Sequence, residues 1–326
     1  MVTSHDVARL AGVSQPTVSR ALREMTGVAP ETVQRVRAAA DQLGYIPSEA
    51  GRTLSTRKTG TIGIVSAELT NPFYPELVQP IRDELEASGY RTLLIPDSSD
   101  APLQAARLCD GALDGVVLTT SFAHSALPQQ LREYGLPHVL ANRLVEGSDA
   151  DSCAFDNSDG AQLAAAHLIE RGHRHIGMIS GPLETSTGRE REEAFLTALA
   201  ARGVQVRDDH RHRGDFTFAS GYKGAFRMLA APTPPTALFC GNDVVALGAI
   251  NALKERGVTA GSDVAVVGFD DIPMAAWPVF DLTTIRCDRA TMAKESVRML
   301  MRRLESLEHS SDHVVIPVHL IQRGSG

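Results

Sequence analysis

The chain has 326 residues, enough for two or three compact units, and its 43% apolar content supports a sizeable core. No stretch approaches about 18 uninterrupted apolar residues, which excludes a membrane-spanning helix. The formal net charge of −7 argues against nucleic-acid contact over the whole surface, yet residues 1–58 carry eight Lys and Arg against five Asp and Glu, a cationic head on an acidic body.

The head opens with two short helical patterns. Val7, Leu10 and Ala11 fall at i, i+3 and i+4, and Val18, Ala21 and Leu22 repeat the spacing. Thr3 and Asp6 form a capping signature, Gly12 suits a left-handed stop, and Ser14 suits an N-cap with Pro16 in the first turn. This is the helix-turn-helix spacing, in which the second helix enters the DNA major groove, although a generic helical hairpin shares it. A third helix starts at Pro30, buries Val33, Val36, Ala40 and Leu43, and stops at Gly44.

Residues 47–59 are polar, with Leu54 as an isolated large apolar side chain. Here the chain resembles the lactose/galactose repressor (LacI/GalR) family. The matching stretches are Asp6-Val-Ala-Arg-Leu-Ala-Gly-Val-Ser14, Thr17-Val-Ser-Arg20, Leu43-Gly-Tyr-Ile-Pro47 and Arg52-Thr-Leu54. The resemblance implies a DNA-binding domain over 1–46, a hinge helix over 47–59 and an effector-binding and dimerisation domain over 60–326. It implies base reading by Gln15, Pro16 and Arg20, and phosphate contacts from Thr3, Ser14, Thr17 and Ser19. Arg can bridge guanine O6 and N7 and Gln can bridge adenine N6 and N7, whereas Pro16 reads only by shape. Arg52 and Leu54 would lie in the minor groove, Leu54 as a wedge between base steps. Gly51 departs from the family's usual alanine and weakens the hinge helix by roughly 1 kcal/mol.

From Thr61 strands and helices alternate. Strands are expected at Thr61–Val65, Arg91–Ile95, Gly115–Leu118 and Pro137–Leu140, with helices around 77–85, 103–109 and 127–134 between them. The pattern restarts with a helix over 160–171. Strands follow at His175–Ile179, Thr236–Cys240 and Val264–Phe269, with helices over 189–202, 221–229 and 244–256. The tail Val314–Ile321 reads as one strand. Such alternation predicts two doubly wound parallel-sheet subdomains, an architecture similar to periplasmic sugar-binding proteins.

Ligands of open α/β sheets bind at the carboxyl ends of strands, here in the crevice between subdomains. By resemblance that site takes Phe73, Tyr74, Asn142, Thr187, Arg191, Phe216, Asn242, Asp270 and Trp277, the last placed either over the pocket or in the core. Aromatic platforms with Arg, Asn and Asp suit a polyol, and the chemistry admits either a neutral sugar or a small organic acid whose carboxylate pairs with Arg191. Asn142 stands where many relatives carry an aspartate. The resemblance ends near Arg323, without a leucine-heptad tail, which implies a homodimer on palindromic double-stranded operator DNA.

Cys109, Cys153, Cys240 and Cys287 form no Cys-x-x-Cys pair and read as reduced core thiols. His167, His173 and His175 lack a completing ligand, and His210 and His212 sit in a charged run that reads as a solvated loop or edge. No Gly-x-Gly-x-x-Gly follows the first strand, so neither cofactor nor metal nor catalysis is expected. A purely ligand-binding periplasmic protein needs a secretory leader and no helix-turn-helix. The N-terminal pattern is the reverse and predicts a cytoplasmic, non-membrane regulator.

Overall fold

The computed structural model describes residues 2–22, 27–45, 58–66, 69–97, 103–306, 308 and 310–326. Most of the expected hinge, including Arg52 and Leu54, lies outside them. The chain divides into two compact units, Met1–Thr59 and Gly60–Gly326.

Among its described residues the first unit has three helices: α1 (Ser4–Ala11), α2 (Gln15–Leu22) and α3 (Pro30–Leu43). Asp6 Oδ2 accepts from Thr3 N at 3.0 Å and from Thr3 Oγ1 at 2.7 Å, which ties down the start of α1. Gly12 and Gly44 adopt left-handed φ of 65° and 59° and end α1 and α3. Val7, Ala8, Ala11, Val18, Ala21, Val36, Ala39 and Ala40 make the core. The expected stripe is corrected at Leu10, which is 47% exposed, while Ala8 is buried. Small side chains suit a core shared by three short helices.

The second unit holds two lobes. In lobe 1, strands β1 (Thr61–Ser66), β2 (Arg91–Pro96), β3 (Gly115–Leu118), β4 (His138–Ala141), β5 (Asp151–Phe155) and β11 (His313–Ile316) form a parallel sheet in the order β11-β5-β4-β3-β1-β2. Its helices are α4 (Phe73–Ala87), α5 (Ala105–Leu108), α6 (Leu127–Glu133) and α11 (Arg289–Glu305). Lobe 2 contains β6 (Ile176–Ser180), β7 (Arg211–Arg213), β8 (Ala237–Cys240), β9 (Ala265–Asp270), β10 (Thr283–Cys287) and β12 (Val318–Ile321) in the order β12-β10-β9-β8-β6-β7. Among the described residues only β12 pairs antiparallel, with β10. Helices α7 (Asn157–Glu170), α8 (Ser186–Ala200), α9 (Phe218–Leu229) and α10 (Asp243–Glu255) cover this sheet.

The lobes are not successive halves of the chain. The backbone passes between them at Asp156, Asp288 and Pro317, and Asp156 N donates to Ile316 O at 2.9 Å between two of these passages. The tail is therefore two strands split by Pro317, one in each sheet, rather than one. Three elements escaped the sequence pattern: β5, β10 and α11. Each strand carries buried polar groups that break the apolar signal. Asp151, wholly buried, meets Arg303 Nε at 2.6 Å, and Thr284 Oγ1 donates to Asp243 Oδ1 at 2.5 Å. His210 is also corrected: it is fully buried, with Nε2 2.7 Å from Thr233 O, while β7 beside it is an exposed edge. Cys153, Cys240 and Cys287 are buried free thiols, and Cys109 is half-buried.

Glycines allow α9 and α10 to touch backbone to backbone. A Cβ on Gly221 would stand 1.9 Å from Val245 O, and one on Gly248 would stand 2.1 Å from Phe218 O. Neither neighbour is a mobile side-chain tip. Gly248→Ala should therefore destabilise the second unit by about 1–3 kcal/mol, the usual cost of overpacking. A lower urea midpoint at unchanged slope will show it, and an unchanged midpoint will refute this packing.

Candidate functional site

Val18 and Ala21 turn one face of α2 into the head's core. Pro16 and Arg20 are exposed on the remaining surface, and Gln15, Thr17 and Ser19 are half-buried. Gln15 Nε2 donates to Ser4 Oγ at 3.3 Å, and the hydroxyls of Ser14 and Thr17 lie 2.8 Å apart. Thr3, though exposed, is engaged with Asp6. The surface of α2 thus presents an amide, a guanidinium and hydroxyls, groups able to contact base edges and phosphates.

In the second unit a cleft forms where both sheets end at their carboxyl edges. Asn71, Phe73, Tyr74, Asn142 and Arg143 line it from lobe 1, and Thr187, Arg191, Phe216, Asn242 and Asp270 from lobe 2. Eight of the nine residues expected there are gathered. Trp277 is not: it is 51% exposed, and its backbone closes the turn after β9, accepting from the N–H of Phe280 and Asp281.

Arg191, from the second turn of α8, lies on the Phe269 ring with its Cζ 3.6 Å from the centroid. Its Nε donates to Asn157 Oδ1 at 2.9 Å and its Nη1 to Gly241 O at 2.8 Å, and Nη1 is 3.3 Å from Asp270 Oδ1. Asn242 Oδ1 accepts from Val245 N at 2.9 Å and so caps α10 as well as lining the cleft. The Phe216 ring occupies the space a side chain on Gly181 would need, since a Cβ there would lie 2.2 Å from it. Between the lobes, Ala123 N donates to Glu184 O at 2.7 Å, Leu144 N to Ser186 Oγ at 2.9 Å, and Arg189 meets Glu146 at 2.8 Å. Little free space remains between the walls, about 20 Å³, room for a single water.

The family description "Bacterial regulatory proteins, lacI family" matches residues 3–48, and "Periplasmic binding protein-like domain" matches 165–326. Over its whole length the chain is 34% identical to the HTH-type transcriptional repressor PurR of Pectobacterium carotovorum and to that of Erwinia tasmaniensis, covering 97% of each. The chain belongs to the lacI family of bacterial regulatory proteins. It is a DNA-binding transcriptional repressor with an N-terminal helix-turn-helix followed by a periplasmic-binding-protein-like domain of two parallel α/β sheets. Among solved structures it is similar to the Lac repressor dimer bound to operator and the anti-inducer ONPF, with TM-score 0.88 and 26% identity over 99% of this chain and 98% of that one. It is also similar to the transcriptional regulator CelR in complex with cellobiose, with TM-score 0.75 and 32% identity over the full length of both.

One lining residue of this lacI-family cleft escaped the sequence reading. Arg143 lines it beside Asn142, whose φ of 73° turns the chain at the end of β4. A polar pair just past a strand's carboxyl end was the available signal. Asp243 lies behind Asp270, accepting from Thr284 Oγ1 and from Ile272 N at 2.9 Å. Burial, reinforced by Asp270, pushes the Asp243 carboxyl well above the usual range. Burial also lifts Asp270 from 3.8 to about 6, against the pull of Arg191.

Asp270 holds its proton more tightly in the fold than in the unfolded chain. Its contribution to stability is therefore fully present below about pH 4 and is lost as pH rises through 6. The stability of the wild type relative to Asp270→Asn should fall between pH 4 and pH 7. Urea titrations at each pH will measure this, and a flat or rising difference will contradict it.

Proposed function

We propose that this repressor binds a palindromic operator as a homodimer and is switched by a small polar metabolite, a sugar or sugar derivative, held between its lobes. The observation that carries this reading is the shared lining of the cleft, half from each lobe, around three adjacent chain passages. A molecule touching both walls binds one closure angle better than another, and that difference in affinity is what shifts a two-state equilibrium. Phe73, Tyr74, Asn142, Thr187, Arg191, Phe216, Asn242 and Asp270 are the proposed effector contacts. The similarity to a regulator solved with cellobiose supports a sugar-like ligand, while the relatives named PurR keep the class wider.

On DNA, Gln15, Pro16 and Arg20 are proposed to read bases, and Thr3, Ser14, Thr17 and Ser19 to contact phosphates. Arg52 and Leu54 are proposed hinge contacts in the minor groove. Two heads give the half-site spacing one helix-turn-helix lacks, and the likeness to an operator-bound Lac repressor dimer supports pairing. On lobe 1, β2 is an edge strand with Leu93 49% and Leu94 40% exposed, a surface suited to a second copy. Regulation of this kind belongs in the cytoplasm with the chromosome. The cleft is proposed to bind without turnover, its carboxylate Asp270 being tied to Arg191.

Arg20→Ala should cost about 1–3 kcal/mol against an operator selected from random duplex and relax specificity at one position of each half-site. Quantitative footprinting will read this, and unchanged affinity and specificity will exclude Arg20 as a base reader. Leu93→Glu with Leu94→Glu should shift sedimentation from dimer to monomer and weaken operator binding. A dimer that persists will move the interface elsewhere.

A further inference from the structure

Arg143 is the cleft's cation without a carboxylate in direct contact, although Tyr74 and Asp270 both feel its charge. Arg191 has four partners: Asp270, Asn157, Gly241 and the Phe269 ring. Arg143 lies instead between two rings, its Cζ 6.0 Å from the Tyr74 centroid and 6.0 Å from the Phe216 centroid. Its Nε is buried and has no hydrogen-bond partner, and the same holds for Oδ1 of the adjacent Asn142. Among the described residues no carboxylate lies within ion-pair distance of Arg143. The cleft's own carboxylate, Asp270, is paired with Arg191 instead.

The surrounding field has the same sign. Helices α4, α8 and α10 all begin at this cleft, contributing Phe73 and Tyr74, Thr187, and the cap Asn242. Each directs the positive end of its dipole there. A neutral ligand would cover the half-buried Arg143 guanidinium without giving it a counter-ion in direct contact, which is costly. A ligand carrying its own anionic oxygens would supply the missing partner through charge-assisted hydrogen bonds.

We propose that the effector of this repressor is anionic, a polyol bearing a carboxylate or a phosphate, and that Arg143 is the residue that selects it. This rests on the effector-cleft reading above and narrows it. Arg191, in contrast, already takes its carboxylate from the protein itself, so its contact with the effector is not the one that selects charge.

The test uses the full-length protein and matched probes: glucose against glucose 6-phosphate, and glucitol against gluconate, at constant ionic strength. Thermal shift and calorimetry are run on the wild type and on Arg143→Gln, Arg143→Lys and Asn142→Asp. At least one anionic probe should bind the wild type and raise its Tm, and exceed its neutral partner in affinity by about tenfold or more. Phosphate preference shows in the first pair and carboxylate preference in the second. Arg143→Gln should abolish the anionic advantage, Arg143→Lys should retain part of it, and Asn142→Asp should cancel it by placing a carboxylate beside the guanidinium. Equal binding within both pairs, a shift unchanged in Arg143→Gln, or no shift from either anion overturns the proposal. Operator binding is followed in parallel. If it persists and responds to a neutral sugar, only the anionic effector is lost, whereas a protein that binds no palindromic duplex removes the operator reading itself.

Discussion

The cleft is organised by one buried guanidinium. Arg191 is only 4% exposed, and a charge at that depth survives only when fully partnered. Its partners come from separate parts of lobe 2: Asn157 opens α7, Gly241 follows β8, and Asp270 ends β9, with Phe269 beneath. One side chain therefore ties three segments that carry cleft residues, α8, the turn after β8 and the end of β9, to the start of α7. Removing either member of such a pair leaves the other buried and alone, so the arrangement is kept or lost as a unit. Its value is geometric, since a buried ion pair adds little net stability once desolvation is counted.

Around Asp270 the backbone is held in an unusual conformation. Asp270 and Asp271 have φ of 118° and 53°, uncommon for residues with a side chain. Arg289, at the start of α11, donates to the carbonyls of both, at 2.7 and 3.2 Å, and Arg323 and Arg286 bind the Asp271 carboxylate at 2.7 and 2.6 Å. Arg289 stands one residue beyond the passage at Asp288. The segment carrying the cleft's carboxylate is therefore tied to the place where the chain changes lobes. A rotation about the passages would therefore re-aim Asp270, which suits the proposed switch.

The interlobe contacts at the rim are few and partly exposed. Arg189 and Glu146 are 26% and 48% exposed, so their pairing holds the lobes only weakly. The backbone bond from Ala123 to Glu184 and the bond from Leu144 to Ser186 are local and leave the sheets free to part. Strong interactions lie within lobe 2 and at the passages, and weak ones across the cleft mouth. That distribution suits a clamp in which each half keeps its shape while the angle between them changes.

What the sequence determined by itself was local. Apolar spacing and stop signals placed α1 to α3, because a short helix needs one buried face and a residue such as Gly12 to end it. Continuous apolar runs such as Gly115–Leu118 marked strands buried on both faces. Motif likeness collected eight cleft residues, since loops after parallel strands are the standard place for a ligand. Tertiary structure decided what depends on distant partners. It set Leu10 outward, buried His210, left Trp277 off the cleft and divided the tail at Pro317 between two sheets. It also left Arg143 without a carboxylate in direct contact among the described residues, because ion pairing depends on segments far apart in the chain, which no local pattern records.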